Sequence, residues 1–260
     1  MGSIDNLLPD SVIIRNRIQR RFGVPSQQAF DLLSEIGRDC IGAVQLLPEG
    51  QVPSAVRTIS CKPLSEQEVE GVLQRTTAID LFRTGERDDF RISLAGAQEK
   101  NALMLHNNIW SKPIGTTPST HIFKLPIGDV GFADMSTSVE NEWLCMQILS
   151  RYGIETADCR LEQFGEIKTL VVKRFDRRLS GNGEWIMRLP QEDLCQAAGL
   201  PSAAAVGINN ERVVQIIQEI IDSTPAVIEE VKSSIPLGFP EFVADSILGG
   251  LKTAVERLST

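Results

Sequence analysis

A chain of 260 residues with 42% hydrophobic and 23% charged side chains has the composition of a folded globular protein, large enough for one big domain or two small ones. Its net charge of −8 argues against a protein whose main task is wrapping nucleic acid, because phosphate neutralisation needs a basic surface. Five cysteines, widely spaced and never in a CxxC arrangement, fit reduced thiols better than a disulfide framework or a zinc site. No apolar run approaches the roughly 20 residues that span a bilayer, and MGSIDNLLPDS has neither the basic nor the apolar region of a signal peptide, so a cytoplasmic protein is expected.

Residues 10–22 read as a basic amphipathic helix. Asp10 or Ser11 can cap it, Ile13, Ile14, Ile18 and Phe22 recur at helical spacing, and Gly23 and Pro25 stop it. Arg15, Arg17, Arg20 and Arg21 form a charge cluster on it, for which a solvated face is the simplest reading. A second helix is expected at about 28–37, then a short strand carrying Ile41, Val44 and Leu46, then a helix over Leu64–Arg75 that opens on a Ser65/Glu68 capping box.

From Asp89 to Leu125 the pattern becomes that of an antiparallel sheet: RISLAG, KNALMLHN, IWSKPI and THIFKLP are short apolar runs broken by Gly, Asn and Pro. Residues 138–151 return to helical spacing through Val139, Trp143, Met146, Ile148 and Leu149. CRLEQFGEIKTLVVKRFDRR follows as two strands joined near Gly165. Lys173, Arg174, Arg177 and Arg178 form a second charge cluster, again most simply solvated. A brief helix is expected at Gln191–Ala198. The rest of the chain is helical, with Pro225 suited to the first turn of a helix.

A nucleotide-handling kinase needs a cover for the phosphates, a lysine on a strand, an acid on the next helix to orient it, and main-chain groups for the adenine. ISLAGAQEK sets Ala95, Gly96 and Ala97 at a strand turn where bare amides could approach phosphate, although a plain β-turn has the same sequence. Lys124 lies in an apolar strand and could project into a cleft or simply snorkel. Glu140 and Glu142 open the following helix, where acids are also explained by the helix dipole; Glu142 is preferred as the partner of Lys124. LVVKRFDRR supplies an extended strand running into a polar linker, as a hinge would.

DNLLPDS, FDLLSEIGRDCIGAV, FRISLAGAQEKNAL, TTPSTHIFKLP, SVENEW, VKRFDRR and RLPQEDLCQAAGLPSA together resemble segments of the HipA family of serine/threonine kinases, toxins of toxin–antitoxin pairs, in the family's order. The resemblance implies that Lys124 is the ATP-contacting lysine, Glu142 its helix partner, and Lys173 to Phe175 the adenine-facing hinge. It also implies that Ser93 is a candidate for autophosphorylation in a phosphate loop with Ala95 and Gly96, and that Gln191 borders the nucleotide. A HipB-like DNA-binding antitoxin is the partner it implies.

The chain departs from that family where phosphoryl transfer is carried out. The family's DGHxxN-like loop and later acidic metal motif are missing: there is no Asp-Gly dipeptide, and the two histidines, His106 and His121, fall in the sheet ahead of the hinge. GLPSAAAVGIN joins two regions that the family separates by its main catalytic lobe, which reads as an internal deletion, and the small subdomain expected ahead of DNLLPDS is missing too.

The expectation is therefore an α+β fold, a kinase-like antiparallel sheet lobe of about five strands with flanking helices and a C-terminal helical segment. It divides into 1–88, 89–203 and 204–260. Its catalytic residues are gone, it retains part of an ATP site, and its Mg²⁺ ligands are missing. An interaction module for the antitoxin or for a full-length relative, and a gene remnant, stand beside this reading. Bare apolar faces at Val213, Ile216, Ile217 and Ile220 would favour a homodimer, unless the helices dock on the sheet.

Overall fold

The structure, a computed structural model, describes residues 7–9, 11–47, 49–53, 56–77, 98–129, 131, 133–192 and 210–258. Helix α1 (Val12–Phe22) starts at Ser11, whose hydroxyl accepts from the Ile14 N–H at 3.4 Å, and ends at Gly23 with φ 66. Its Ile14 and Ile18 pack with Leu8 and with Leu32, Leu33 and Ile36 of α2 (Ala29–Ile36). Ile13, expected on the same face, is 72% exposed. The α1 arginines are partly structural: Arg15 Nε donates to the Pro9 carbonyl at 2.6 Å, and Arg17 meets the Thr76 carbonyl and Glu99.

The strand expected around Ile41–Leu46 does not form; the segment runs as turn and irregular chain, with the Gly42 N–H and carbonyl bonded to Asp176 and Arg177 and the Leu46 N–H to the nearby Gly37 carbonyl. A strand unmarked by alternation, β1 (Cys61–Pro63), follows, and then α3 (Glu66–Thr77). The capping box closes as the sequence dictates: the Ser65 N–H donates to Glu68 Oε2 at 2.9 Å and the Glu68 N–H to Ser65 Oγ at 3.2 Å.

The remaining strands are β2 (Lys100–His106), β3 (Ile109–Pro113), β4 (His121–Lys124), the short pair β5 (Gly128–Asp129) and β6 (Asp134–Met135), β7 (Cys159–Phe164), β8 (Ile167–Lys173), β9 (Arg177–Leu179) and β10 (Ile186–Arg188), with α4 (Ser138–Arg151) between β6 and β7. Six of them form one antiparallel sheet in the order β1-β3-β2-β4-β8-β7, so residues from the first 88 contribute an edge strand. The two-residue turns obey backbone sterics. Asn107 and Asn108 both take positive φ between β2 and β3, the type I′ arrangement. Gly165, at φ +57, joins β7 to β8, and a Cβ there would run into the Glu70 carboxylate.

Side chains alternate across this sheet, and each face has its own cover. Leu103, Phe123 and Val171 point to one face and pack on Val69 and Leu73 of α3. Leu170 points to the other and packs on Val139, Trp143, Leu144 and Ile148 of α4. Two further helices, α5 (Asn210–Ser234) and α6 (Glu241–Leu258), add Val227, Val231, Ala244 and Leu248 to that second core.

Helix α5 overturns the expectation that Pro225 opens a helix, since the helix runs through it. A mid-helix proline costs about 3 kcal/mol. Burial of Val227 and Val231 against α4 opposes that cost, while the hydroxyls of Ser223 and Thr224 bond back to the Glu219 and Ile220 carbonyls at 2.6 Å. The C-terminal helices thus dock on the sheet's helix. Of the faces expected to be bare, Ile216 is exposed, Ile217 and Ile220 are half-buried, and the Val213 side chain lies outside the described residues.

Candidate nucleotide site and its buried support

Lys124 ends β4 on the face covered by α4, and its Nζ forms an ion pair with Glu142 in the first turns of that helix. Glu140, the other candidate acid, faces elsewhere: it pairs with Lys168 of β8 at 2.5 Å. Its side chain is 2% exposed, and its Oε2 has no hydrogen-bond partner among the described residues. The Lys124 and Glu142 side chains are 25% and 33% exposed, so their attraction is screened and adds at most about 1 kcal/mol to stability. Its consequence is placement. The ammonium is held at the edge of a strand by an acid on the adjoining helix.

Lys173 ends β8. In register it lies opposite His121, two residues beyond Val171, so its side chain projects from the face away from Lys124. The main-chain N–H groups of Lys173 and Arg174 donate to the Asp158 and Thr120 carbonyls at 2.8 and 2.9 Å, while the Phe175 ring is 69% exposed. Gln191 follows β10, and its backbone N lies 3.1 Å from where a Cβ on Gly42 would sit; Gly42 itself has φ +68. Ser93, Ala95 and Gly96 lie outside the described residues.

Sequence reasoning missed the most heavily bonded group in the structure. Arg174 and Arg177, read as part of a solvated cluster, have side chains only 1% exposed, whereas their neighbours Lys173 and Arg178 are exposed as expected. They enclose Asp39. Its Oδ1 accepts from Arg177 at 3.0 Å and Arg188 at 2.7 Å; its Oδ2 accepts from the Ser119 N–H and hydroxyl at 2.9 and 2.5 Å and from Arg174 at 3.3 Å. Asp176 accepts from Arg174 Nε at 3.0 Å, from Arg177 at 2.9 Å and from the Gly42 N–H at 2.7 Å. The Cys40 carbonyl accepts from both Arg174 and Arg177, at 3.0 and 2.6 Å.

The electrostatics follow from that packing. Burial alone would raise the Asp39 carboxyl, but Arg174, Arg177 and Arg188 together hold it below the ordinary aspartate range. Asp176 is likewise held low, its burial outweighed by Arg174 and Arg177. Three guanidinium groups share two carboxylates, and desolvation beside like charges brings Arg177 down to about 10. Burial, reinforced by Asp39, pushes the Cys40 thiol up to about 11, which disfavours its thiolate form. The network fastens the residue 38–42 segment to the strand end at residues 174–177, which is the candidate hinge.

A family model described as the HipA-like C-terminal domain matches residues 92–235, more than half of the chain. The chain belongs to the HipA family. A second model, the HipA N-terminal domain, matches residues 1–57, so part of that N-terminal region is present in the segment that begins ahead of DNLLPDS. The Y4mE protein of Sinorhizobium fredii is 34% identical over 182 residues, covering 69% of this chain and 41% of that protein. The serine/threonine-protein kinase toxin HipA of Shewanella oneidensis is 29% identical over 194 residues, covering 75% of this chain and 42% of that protein. A solved structure of the Shewanella oneidensis HipA, HipB and operator DNA complex aligns with TM-score 0.56 and 25% identity, covering 85% of this chain and 51% of that chain. The chain therefore spans about half the length of the relatives it matches.

Among the described residues no helix is long and apolar enough to cross a membrane, and no three His, Cys, Asp or Glu side chains gather into a group that could hold a metal.

Proposed function

We propose that this chain is a degenerate HipA-like kinase unit that holds ATP through the Lys124 face of its sheet without transferring phosphate. The observation that carries the reading is the Lys124–Glu142 ion pair, since an acid that orients a strand lysine is what phosphate binding requires of a kinase sheet. Bound ATP supplies the triphosphate charge; Lys124 neutralises it, Glu142 fixes where that charge is neutralised, and the main chain at Phe175 meets the adenine edge. The sequence holds no Asp-Gly dipeptide, and its two histidines, His106 and His121, lie on β2 and β4 of the sheet.

Calorimetric titration of the purified chain with ATP, with and without Mg²⁺, tests this. Saturable binding is expected, weakened at least about tenfold in Lys124→Ala, the cost of losing one charge-assisted contact of about 1.5–3 kcal/mol. Equal affinity in the two proteins would remove Lys124 from the site and the reading with it.

A second reading is favoured by one specific finding. The solved relative is in complex with HipB and operator DNA, so docking a HipB-like antitoxin is an alternative role for a chain that keeps the family's N-terminal match and its C-terminal helices. Co-expression with such an antitoxin and co-purification decides it.

A further inference from the structure

Residues 174–176, which join β8 to β9, alternate between burial and exposure: Arg174 and Asp176 are each 3% exposed, and the Phe175 between them is 69% exposed. A fork closes across the outer two. Arg174 Nε and Nη2 donate to Asp176 Oδ1 and Oδ2 at 3.0 and 2.8 Å, the bidentate form that fixes geometry as well as adding energy. The main chain at Phe175 is therefore spanned by a ring of side-chain bonds, which takes from it the freedom that a connection between strands ordinarily keeps.

What holds the fork comes from far away in the chain. Asp39 accepts from Arg174, Arg177 and Arg188 at 3.3, 3.0 and 2.7 Å. Arg177 and Arg188 are cross-strand partners on β9 and β10, so one carboxylate ties the connection to both strands of the hairpin that follows it. The Leu189 N–H donates to the Asp176 carbonyl at 2.9 Å, and the Gly42 N–H to the Asp176 carboxylate at 2.7 Å. Gly42 also backs on Gln191, so closely that a Cβ on it would come within 3.1 Å of the Gln191 N. The residue 38–42 segment thus braces both neighbours of Phe175 and the residue expected to border the nucleotide, whereas Lys124 is held separately by Glu142 of α4. A buried ion network adds little net stability over apolar side chains of the same volume; what it can supply is one fixed arrangement.

We propose that Asp39 is a positioning residue for the adenine end of the nucleotide site, acting through Arg174, Arg177 and Arg188; the inference rests on the nucleotide reading given above. Adenine offers an acceptor at N1 and a donor at its exocyclic amine, and a main chain held in one register at Phe175 can match that pair. Hypoxanthine offers the reverse, a donor at N1 and an acceptor at O6, so a fixed main chain rejects it while a loose one adjusts to either base. Asp39 sets how well the site tells the two bases apart. Lys124 binds the triphosphate, which the two nucleotides share.

The test is calorimetric titration of the full chain with ATP and with inosine triphosphate, in the unmutated protein and in Asp39→Asn, with folding checked by circular dichroism. The unmutated chain is expected to prefer ATP. That preference is expected to fall at least about fivefold in Asp39→Asn, because lost preorganisation weakens the contacts that discriminate and spares those that are shared. Lys124→Ala is expected to weaken both nucleotides by the same factor and to keep the preference. Arg188→Gln, at a side chain 13% exposed, leaves Asp39 its two buried arginines; it is expected to lower the preference in the same direction and decides the matter should Asp39→Asn fail to fold. No preference in the unmutated chain, or an unaltered preference in a folded variant even where both nucleotides bind more weakly, would overturn the proposal and leave the network a structural role alone. If the unmutated chain binds neither nucleotide, the nucleotide reading falls and this inference with it; if ATP binds through Lys124 and the variants keep the preference, this inference falls alone.

Discussion

Asp39→Ala is expected to destabilise the chain by about 3–5 kcal/mol, the cost of removing one partner from a buried ion network. Domain stabilities run only to about 5–15 kcal/mol, so the variant should unfold at far lower urea. The reason is what it leaves behind. Arg174 and Arg177 are each 1% exposed, and without Asp39 they face one another with Asp176 as their remaining counter-charge. The Ser119 N–H and hydroxyl lose their acceptor at the same time. Arg178→Ala, on an exposed neighbour, is the control and should change stability by less than about 0.5 kcal/mol. Urea titration followed by circular dichroism measures both, and an Asp39→Ala loss below about 1 kcal/mol would show that the network does not fasten the residue 38–42 segment to residues 174–177.

His121 and the Asp39 network set the pH dependence. His121 is buried between β2 and β8, and desolvation, with Arg160 and Lys173 nearby, lowers it from 6.5 to about 4. Between those values the unfolded chain takes a proton that the folded one refuses, so stability falls as pH drops from about 6.5 towards 4. Asp39 and Asp176 act lower down: held below the ordinary aspartate range, they stabilise the fold above it and lose that contribution as pH falls through their folded values. Melting temperature against pH should therefore show two successive losses on acidification, and His121→Gln should remove the upper one while leaving the lower. A single loss confined below pH 4 in the unmutated chain would place the histidine in water.

Local signals account for what could be read in advance. Helix α4 is delimited by apolar periodicity alone, the capping box by two residues three apart, and the Lys124–Glu142 pair by an isolated lysine on an apolar strand followed by a helix opening on acids. Each signal spans fewer than about twenty residues. The Asp39 network does not, because the hydrogen bonds to Asp39 join positions 80 to 149 residues apart. In the string KRFDRR nothing distinguishes the buried Arg174 and Arg177 from the exposed Lys173 and Arg178; what separates them is the arrival of the residue 38–42 segment from the other end of the chain. The same event bears on the missing strand at Ile41–Leu46, where the Gly42 N–H and carbonyl bond to Asp176 and Arg177 instead of to a sheet. Pro225 failed as a boundary for a related reason, since tertiary burial of Val227 and Val231 overrides a local penalty.

Phe123→Ala is expected to cost about 3–5 kcal/mol, the range for a phenylalanine removed from a core that cannot fully collapse. Phe123 is wholly buried and sits between two rings, Trp110 at 4.8 Å edge-on and Phe164 at 5.9 Å, so the cavity opens between aromatic groups of two other strands. Those pairs add about 0.5–1.5 kcal/mol beyond the area lost. Phe123→Leu, which keeps most of the volume, should cost distinctly less, and the gap between the two variants measures the cavity rather than the chemistry. The position matters for function because Phe123 and Lys124 are consecutive on β4 and point to opposite faces: one anchors the strand on α3, the other presents its ammonium to Glu142. In Phe123→Leu, where the strand keeps its anchor, ATP affinity should stay within about twofold of the unmutated chain; a loss as large as that of Lys124→Ala would mean that the lysine is placed by the core beneath it and not by its acid partner.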